Sequence, residues 1–198
     1  MDNNKPEQPN NHRPIPKLFF DDLTGARMNR CISCEQDLLD SQMPYFIEKA
    51  IKPHLGYKAY ATVFEYAMCI NCMNEHKGKI SASSLTNINQ YFQKHIDISR
   101  RQYLVAHELY DDLGLWMDHC MVTDRHITTI GECQIYAQCV GDQLAMGDCP
   151  YMISGEALDA VINLLSAETI DAFDKLKDEL VGPSAFQDLL KGGPRVLL

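Results

Sequence analysis

The sequence has no long hydrophobic run. No apolar stretch approaches the roughly 18 residues that a membrane-spanning helix needs, so we expect no transmembrane segment. Residues 1–17 are rich in Asn, Pro and Gln and contain no apolar segment of the kind found in secretory signals, so we also expect no signal peptide. Eight cysteines in such a chain fit a reducing compartment, where thiols persist. The sequence therefore predicts a cytoplasmic protein.

Positive charge is scarce, especially in the second half of the chain. Residues 1–95 carry 11 basic and 10 acidic side chains, whereas residues 96–198 carry 7 basic and 17 acidic ones. Nucleic-acid binding needs clustered Lys and Arg to neutralise phosphates. The charge distribution therefore argues against a nucleic-acid partner, and we expect a protein partner instead.

Motifs of common enzyme classes are also missing. The sequence contains no Gly-rich phosphate loop, no Walker motif and no signature of a Ser-based triad. His119 and Cys120 are neighbours, but adjacent residues on an extended segment point apart and cannot act together as base and nucleophile. The apolar fraction of 45% is nevertheless that of an ordinary globular protein, so the chain is expected to fold.

Four of the cysteines form two matched pairs. Cys31-Ile-Ser-Cys34 and Cys69-Ile-Asn-Cys72 are separated by 34 residues. A Cys-x-x-Cys turn can aim both sulfurs at one point, and two such turns supply the tetrahedral four-thiolate shell that zinc prefers. The sequence therefore predicts that Cys31, Cys34, Cys69 and Cys72 bind one structural Zn²⁺ ion. Four basic residues near the pairs could offset the negative charge of that shell: Arg27, Arg30, Lys77 and Lys79.

Three other interpretations of the pairs are weaker. A redox dithiol needs only one pair and normally lies in a βαβ context, which this sequence lacks. Most iron–sulfur clusters bring at least three cysteines closer together along the chain. Ordinary buried thiols would require two matched pairs to arise by chance, so zinc remains the preferred interpretation.

The order of knuckle, hairpin, knuckle and helix around these cysteines resembles the treble-clef zinc-finger fold group over about residues 28–80. In that group the first pair lies on a knuckle, here residues 30–35, and the second at the start of a helix, here residues 69–72. The resemblance implies a structural metal with no open position for water or substrate. It implies no particular activity, because the fold group has many functions. A zinc ribbon would need another hairpin at the second pair, which the helical pattern after Cys72 disfavours.

The hydrophobic periodicity predicts the other elements. Strands over residues 44–51 and 57–69 form the hairpin between the two pairs, and a second hairpin over 133–140 and 143–146 turns at Gly141-Asp142. A helix with Ser99 as its N-cap runs towards Gly114, and Ser154 and Ser166 cap two later helices. Two further helices are predicted from the apolar spacing of Leu85, Ile88, Tyr91, Phe92 and Ile96, and over residues 185–190.

The second half contains a partial match to the four-cysteine segment. A shift of 89 residues aligns Cys31 with Cys120 and Cys34 with Thr123, and a shift of 80 residues aligns Cys69 with Cys149 and Cys72 with Met152. Our hypothesis is a duplicated unit whose second copy has lost two ligands, now Thr123 and Met152; chance similarity is the alternative.

The second half also has the residue types of a mixed metal site with an open position, which a metal-dependent hydrolase needs. No His-x-x-x-His spacing supports such a site, and the acidic neighbours would raise the thiol pKa values in the absence of a cation. The competing interpretation is a buried apolar cluster that includes Cys133, Ile135 and Cys139. The candidate ligands are His119, Cys120, His126 and Cys149, with Asp118 or Asp148.

Together these features predict an α+β protein of two treble-clef-like hairpin-plus-helix units, the second degenerate, with additional C-terminal helices. The predicted division is a disordered arm over residues 1–17, a zinc-binding unit over 18–98, and a connecting helix, degenerate unit and C-terminal helices over 99–198. The expected function is that of a non-catalytic, zinc-stabilised scaffold or protein-interaction protein. The alternative is a metal-dependent hydrolase, for example of a nuclease-like kind, with a site near His119 and His126.

Overall fold

An antiparallel sheet joins the two halves of the chain. The computed structural model describes residues 11–54 and 59–181, with side chains as far as Leu176. The strands are β1 (His12–Pro14), β2 (Tyr45–Pro53), β3 (Tyr60–Cys69), β4 (Cys133–Val140), β5 (Gln143–Ala145) and β6 (Tyr151–Ser154). The α-helices are α1 (Ile70–Lys77), α2 (Ala82–His95), α3 (Ser99–Ala106), α4 (Leu113–Met117), α5 (Gly155–Ile162) and α6 (Ala167–Val181).

The centre of the sheet is the antiparallel pair β2 and β4, one strand from each half. β3 pairs with the outer edge of β2. The outer edge of β4 is divided: its first half, from Cys133, pairs with β6, and its last residues, to Val140, pair with β5. β1 extends the sheet beyond β5. Because β2 pairs with β4, the halves share one sheet and one buried core.

The core lies on the face of the sheet that carries the odd-numbered residues of β2 and β4. Tyr45 and Ile47 stand opposite Cys139 and Ala137, and all four are almost fully buried. Successive strand residues point to opposite faces, so the residues of one parity collect on one face. The predicted shared face of Cys133, Ile135 and Cys139 is confirmed, and all three are buried.

Much of the predicted secondary structure is confirmed, and the class is α+β. Both hairpins form, and the turn between β4 and β5 places Gly141 at φ 56°, a conformation that glycine adopts without strain. Ser154 caps α5, since its Oγ accepts from the backbone N–H of Ala157. Ser166 precedes α6, and its Oγ accepts from the N–H of Thr169. The predicted helix over 185–190 lies outside the described residues.

The helix predicted to run from Ser99 towards Gly114 is shorter than expected. α3 begins at Ser99 with Ile98 as its N-cap, and it ends at Ala106. Glu108 then takes a positive φ of 51°, and the N–H of Leu109 bonds back to the carbonyl of Leu104, which terminates the helix. Gly114, expected as a stop, lies inside the separate helix α4.

Part of the segment expected to be a disordered arm is ordered. Residues 12–14 form β1, paired with β5, and Ile15 is buried in the core. The side-chain amide of Asn11 also donates to the carbonyl of Met146. The pattern of Pro, Asn and Gln concealed this edge strand, because its pairing partner lies more than 100 residues away. Residues 1–10 lie outside the described residues.

Candidate metal centre

The first cysteine pair lies on a tight knuckle between residues 30 and 37. The N–H of Glu35 donates to the carbonyl of Cys31 at 2.9 Å, and the N–H of Cys31 donates to the carbonyl of Gln36 at 3.0 Å. Glu35 closes the turn with a φ of 59°. These bonds fold the backbone back on itself, so Cys31 and Cys34 lie on the same side of the turn.

The second pair lies where β3 passes into α1. Cys69 is the last residue of β3 and the N-cap of the helix, and Cys72 follows within the first helical turn. Residues at the N-cap and three positions later lie on the same side of a helix, so both sulfurs can face the knuckle. The N–H of Cys69 donates to Sγ of Cys31 at 3.4 Å, which ties the helix start to the knuckle.

The four sulfurs converge on one point. Sγ atoms of Cys31, Cys34, Cys69 and Cys72 all lie within 4.8 Å of one another. A tetrahedral ion with metal–sulfur bonds of ~2.3 Å requires sulfur–sulfur separations of about 3.8 Å. Sγ of Cys34 and Sγ of Cys69 are 3.9 Å apart, which matches that geometry. The cluster could therefore hold a metal ion, with three buried ligands and Cys34 facing solvent.

The surroundings of the cluster shift the pKa values of Cys31 and Cys72 in opposite directions. Burial raises the pKa of Cys31, but backbone N–H donors from Cys69, Cys34 and Ser33 outweigh it, so its pKa falls to about 7. Burial dominates at Cys72 and raises its pKa to about 12. Of these two cysteines, Cys31 more readily becomes a thiolate, which is the form that binds metal.

His76 is a neighbour of the cluster that the spacing of the cysteines did not indicate. It lies one helical turn after Cys72, is 4% exposed, and its Nε2 is 3.3 Å from Oγ of Ser33 on the knuckle. Its Nδ1 is 3.4 Å from Nζ of Lys79. His76 therefore connects α1 to the knuckle behind the cysteines, and it brings one of the expected basic residues towards the site.

The candidate ligands of a mixed site in the second half do not converge. The rings of His119 and His126 are 4.9 Å apart. Nδ1 of His119 lies 2.8 Å from Arg100 and Nδ1 of His126 lies 2.8 Å from the hydroxyl of Thr128. His119 lines a cleft of about 320 Å³. Among the side chains described, those of residues 11–54 and 59–176, the four-cysteine cluster is the only group of three or more such ligands brought this close together.

Cys120 occupies a knuckle like that of Cys31 but has different partners. Its sulfur accepts from the N–H of Ser154 at 3.2 Å and lies 3.4 Å from the hydroxyl of Ser154. The N–H of Thr123 also donates to it. Burial raises the pKa of Cys120, and these donors outweigh that effect and lower it. Ser154, rather than a further cysteine, completes its surroundings.

The predicted alignment of Cys69 with Cys149 and of Cys72 with Met152 is wrong. Cys149 lies before β6, next to a cis-proline, whereas the residue at the junction of β6 and α5 is Ser154. The predicted alignment requires β4 and β5 to be the second hairpin, but the strand that leads into a helix is β6. Met152 is a fully buried core residue on that strand.

No described helix combines the length and apolar character needed to cross a bilayer. Comparison of the chain with known proteins finds no matching family model, no matching curated protein and no matching solved structure.

Proposed function

We propose that the protein is a non-catalytic scaffold, stabilised by one Zn²⁺ ion at Cys31, Cys34, Cys69 and Cys72, that acts through contacts with another protein. The observation that carries this proposal is the convergence of four thiols on one point, with no further ligand among the described residues. Zinc is the metal that best fits four thiolates in a tetrahedral arrangement, and a filled shell leaves no position for water or substrate. The metal then acts on folding rather than on a reaction.

The treble-clef resemblance belongs to the same proposal. The knuckle at residues 30–37, the hairpin of β2 and β3 and the helix α1 follow the order typical of that fold group, with the second pair at the helix start. Treble-clef metals are mostly structural, which agrees with a closed shell. The buried residues of α1 are Cys72 and His76, neither of which is a large aliphatic side chain, so we expect metal binding to contribute directly to folding of this unit.

A protein partner is supported by apolar side chains at the surface near α3. Tyr103 is 57% exposed, and Ile98 and Val105 are also exposed. Ile98 and Val105 line a groove of about 890 Å³ whose other walls include Met146 and Ile153. Exposed aliphatic and aromatic groups beside a groove are typical of protein interaction surfaces, whereas nucleic acid would require clustered basic groups. We therefore propose that the groove receives an apolar segment of a partner protein.

Metal analysis tests the structural part of the proposal. Protein purified without added metal is expected to contain one zinc per chain, and Cys69→Ser is expected to lose the metal and to unfold the zinc-binding unit. The matched control is Cys139→Ser, a buried cysteine outside the cluster, which should keep its zinc. Unchanged thermal stability after chelation or in Cys69→Ser would contradict a structural role.

Affinity capture tests the interaction part. The wild-type protein and the variant Ile98→Asp/Val105→Asp are compared, with Tyr60→Asp on β3 as a surface control. A partner retained by wild type and control, lost by the groove variant, and binding directly when purified would support the groove. Equal capture by all three proteins would contradict it.

Nothing among the described residues favours a hydrolase site near His119 and His126. The cleft beside His119 contains arginines that already bond to His119 and to backbone carbonyls.

A further inference from the structure

We propose that the protein is an internal duplication whose second unit retains the framework of the metal site but has replaced three of its four ligands, so that Cys120, Thr123, Ser154 and Ala157 correspond to Cys31, Cys34, Cys69 and Cys72. The statement that the replaced residues were metal ligands rests on the proposed function, metal binding at the first site. The correspondence itself rests on hydrogen bonds and strand registers.

The two knuckles have the same backbone bonds. The N–H of Glu35 donates to the carbonyl of Cys31, and the N–H of Asp124 donates to the carbonyl of Cys120, both at 2.9 Å. Glu35 and Asp124 have φ values of 59° and 54°. In each unit, the N–H of the residue after the first cysteine donates to the second hairpin strand: Ile32 to Ala67, and Met121 to Met152.

The two hairpins have the same register at the end that leads to the helix. Tyr45 pairs with Cys69, and Cys133 pairs with Ser154. The first helical residue then bonds back to the residue before the first strand, from Ile70 to Pro44 and from Gly155 to Glu132. The N–H of Cys69 donates to Sγ of Cys31, and the N–H of Ser154 donates to Sγ of Cys120. The position of Cys69 is therefore that of Ser154.

The correspondence continues through both helices. In α1 the C-cap N–H of Gly78 bonds to Asn74, and in α5 that of Asn163 bonds to Asp159. The next helices begin at equivalent N-caps, Ser81 and Ser166. These N-caps are bonded reciprocally: the N–H of Ser81 donates to the hydroxyl of Thr169 at 3.0 Å, and the N–H of Ser166 donates to the hydroxyl of Ser84 at 2.9 Å.

A two-fold axis relates the units. Glu48 and Tyr136 are equivalent positions of β2 and β4, and they stand directly opposite one another in the antiparallel pair. Equivalent residues that face each other lie on the axis. The hydroxyls of Ser81 and Ser166, also equivalent, are 2.9 Å apart. Two independent self-contacts of this kind follow from symmetric association of two copies, and unrelated units would not be expected to produce both.

The side chains at the second site explain why it needs no metal. Ser154 replaces a thiol by a hydroxyl beside Cys120, and Ala157 fills the position of Cys72 with a buried methyl group. The hydroxyl of Thr123 is buried without a hydrogen-bond partner, as expected of a residue that occupies a former ligand position. Burial of Ala157, Leu158 and Val161 against the core replaces the stabilisation that a metal would supply.

Restoring the ligands tests the inference. The variant Thr123→Cys/Ser154→Cys/Ala157→Cys, prepared with zinc present during folding, is expected to contain one more zinc per chain than the wild-type protein. Cobalt substitution should give a matching increase in thiolate-to-metal absorption. The control variant Thr123→Cys/Met152→Cys, which with Cys120 and Cys149 also has four cysteines but in the alternative alignment, should gain no metal.

The outcomes separate this inference from the proposed function. A wild-type protein without metal would contradict the zinc scaffold, yet a gain of one metal in the triple variant would still support the duplication. A folded triple variant with no gain would overturn the inference, as would failure to fold even with zinc present. The variant Thr123→Cys/Ser154→Cys leaves Ala157 unchanged, and it should bind cobalt through three thiolates. No cobalt binding by this variant in its folded form would also contradict the correspondence.

Discussion

Oε2 of the Glu48 carboxyl group accepts a hydrogen bond of 2.5 Å from the hydroxyl of Tyr66 on the neighbouring strand. The two residues face each other on β2 and β3, and Tyr136 and Tyr151 continue the row across β4 and β6. Glu48 is 4% exposed, and its second oxygen is buried without a partner. Burial raises the pKa of Glu48 to about 8, against the lowering effect of the Tyr66 hydroxyl.

Stability should therefore fall as the pH rises through neutrality. Below the ordinary pKa of 4.5, Glu48 is protonated in both the folded and the unfolded chain; from there to about pH 8, unfolding releases its proton. The contribution of the bound Glu48 proton to the free energy of unfolding is present in full below pH 4.5 and is lost by about pH 8. The variant Glu48→Gln should reduce the decline in the free energy of unfolding by up to ~1.4 kcal/mol per pH unit. Urea denaturation at several pH values measures this, with the exposed Glu168→Gln as control. Identical slopes in Glu48→Gln and wild type would contradict a proton held at this site.

Lys49 is expected to be the most sensitive charged residue of the sheet. Its side chain is fully buried, and its Nζ lies 2.8 Å from Asp22, 2.7 Å from Glu65 and 2.8 Å from the carbonyl of Phe20. Lys49→Met would leave Glu65 largely buried without its cation, at a cost of roughly 3–5 kcal/mol. Lys52→Met, a half-exposed lysine on the same strand, should change stability by less than about 1 kcal/mol. Chemical denaturation measures the free energy of unfolding of both variants. Equal losses of stability would contradict the claim that the buried lysine matters more than the half-exposed one.

The reciprocal bonds between the N-caps of α2 and α6 predict two similar mutational effects. Ser84→Ala and Thr169→Val each remove the hydroxyl that accepts the N–H of the opposite N-cap, and Ser84 and Thr169 are both fully buried. An unsatisfied buried donor costs about 1–3 kcal/mol, so each variant should lose that amount. The control is Thr86→Ala, an exposed residue of α2 whose hydroxyl donates to the carbonyl of Ala82 in the same helix, and it should stay within about 0.5 kcal/mol of wild type. A large loss of stability in only one of the two variants would show that the two N-cap bonds are not equivalent.

Metal removal should affect the two units differently. The knuckle and helix start of the first unit depend on the four thiols, whereas those of the second depend on Cys120, Ser154 and the apolar face of α5. After chelation, amide hydrogens in residues 31–37 and 69–77 should exchange faster than their counterparts in 120–126 and 154–162. Hydrogen-exchange mass spectrometry measures both sets in one sample. Equal acceleration would show that the metal stabilises the whole sheet instead of one unit.

The sequence was informative wherever the determining interactions are local. Two residues between paired cysteines confine both sulfurs to one turn, so the pairs at Cys31 and Cys69 could be recognised without a structure. Ser154 and Ser166 are N-caps that act within one turn of their helices, and they too were found. The end of α3 was missed because a positive φ at Glu108, a residue with no preference for it, terminates the helix.

Only the tertiary structure decided how the second half corresponds to the first. Cys133 pairs with a residue of β6 and not of β5, because the two strands occupy different halves of the same edge of β4. Such a pairing between distant segments cannot be predicted from the sequence of either segment alone. For the same reason, nothing local marks Glu48 and Lys49 as buried, or Thr169 as an acceptor for Ser81. The cysteine pairs, the N-caps and the α+β class could be predicted from the sequence by itself, because short-range geometry determines them. The equivalence of Ser154 with Cys69 required the fold, because hydrogen bonds between segments far apart in the chain determine it.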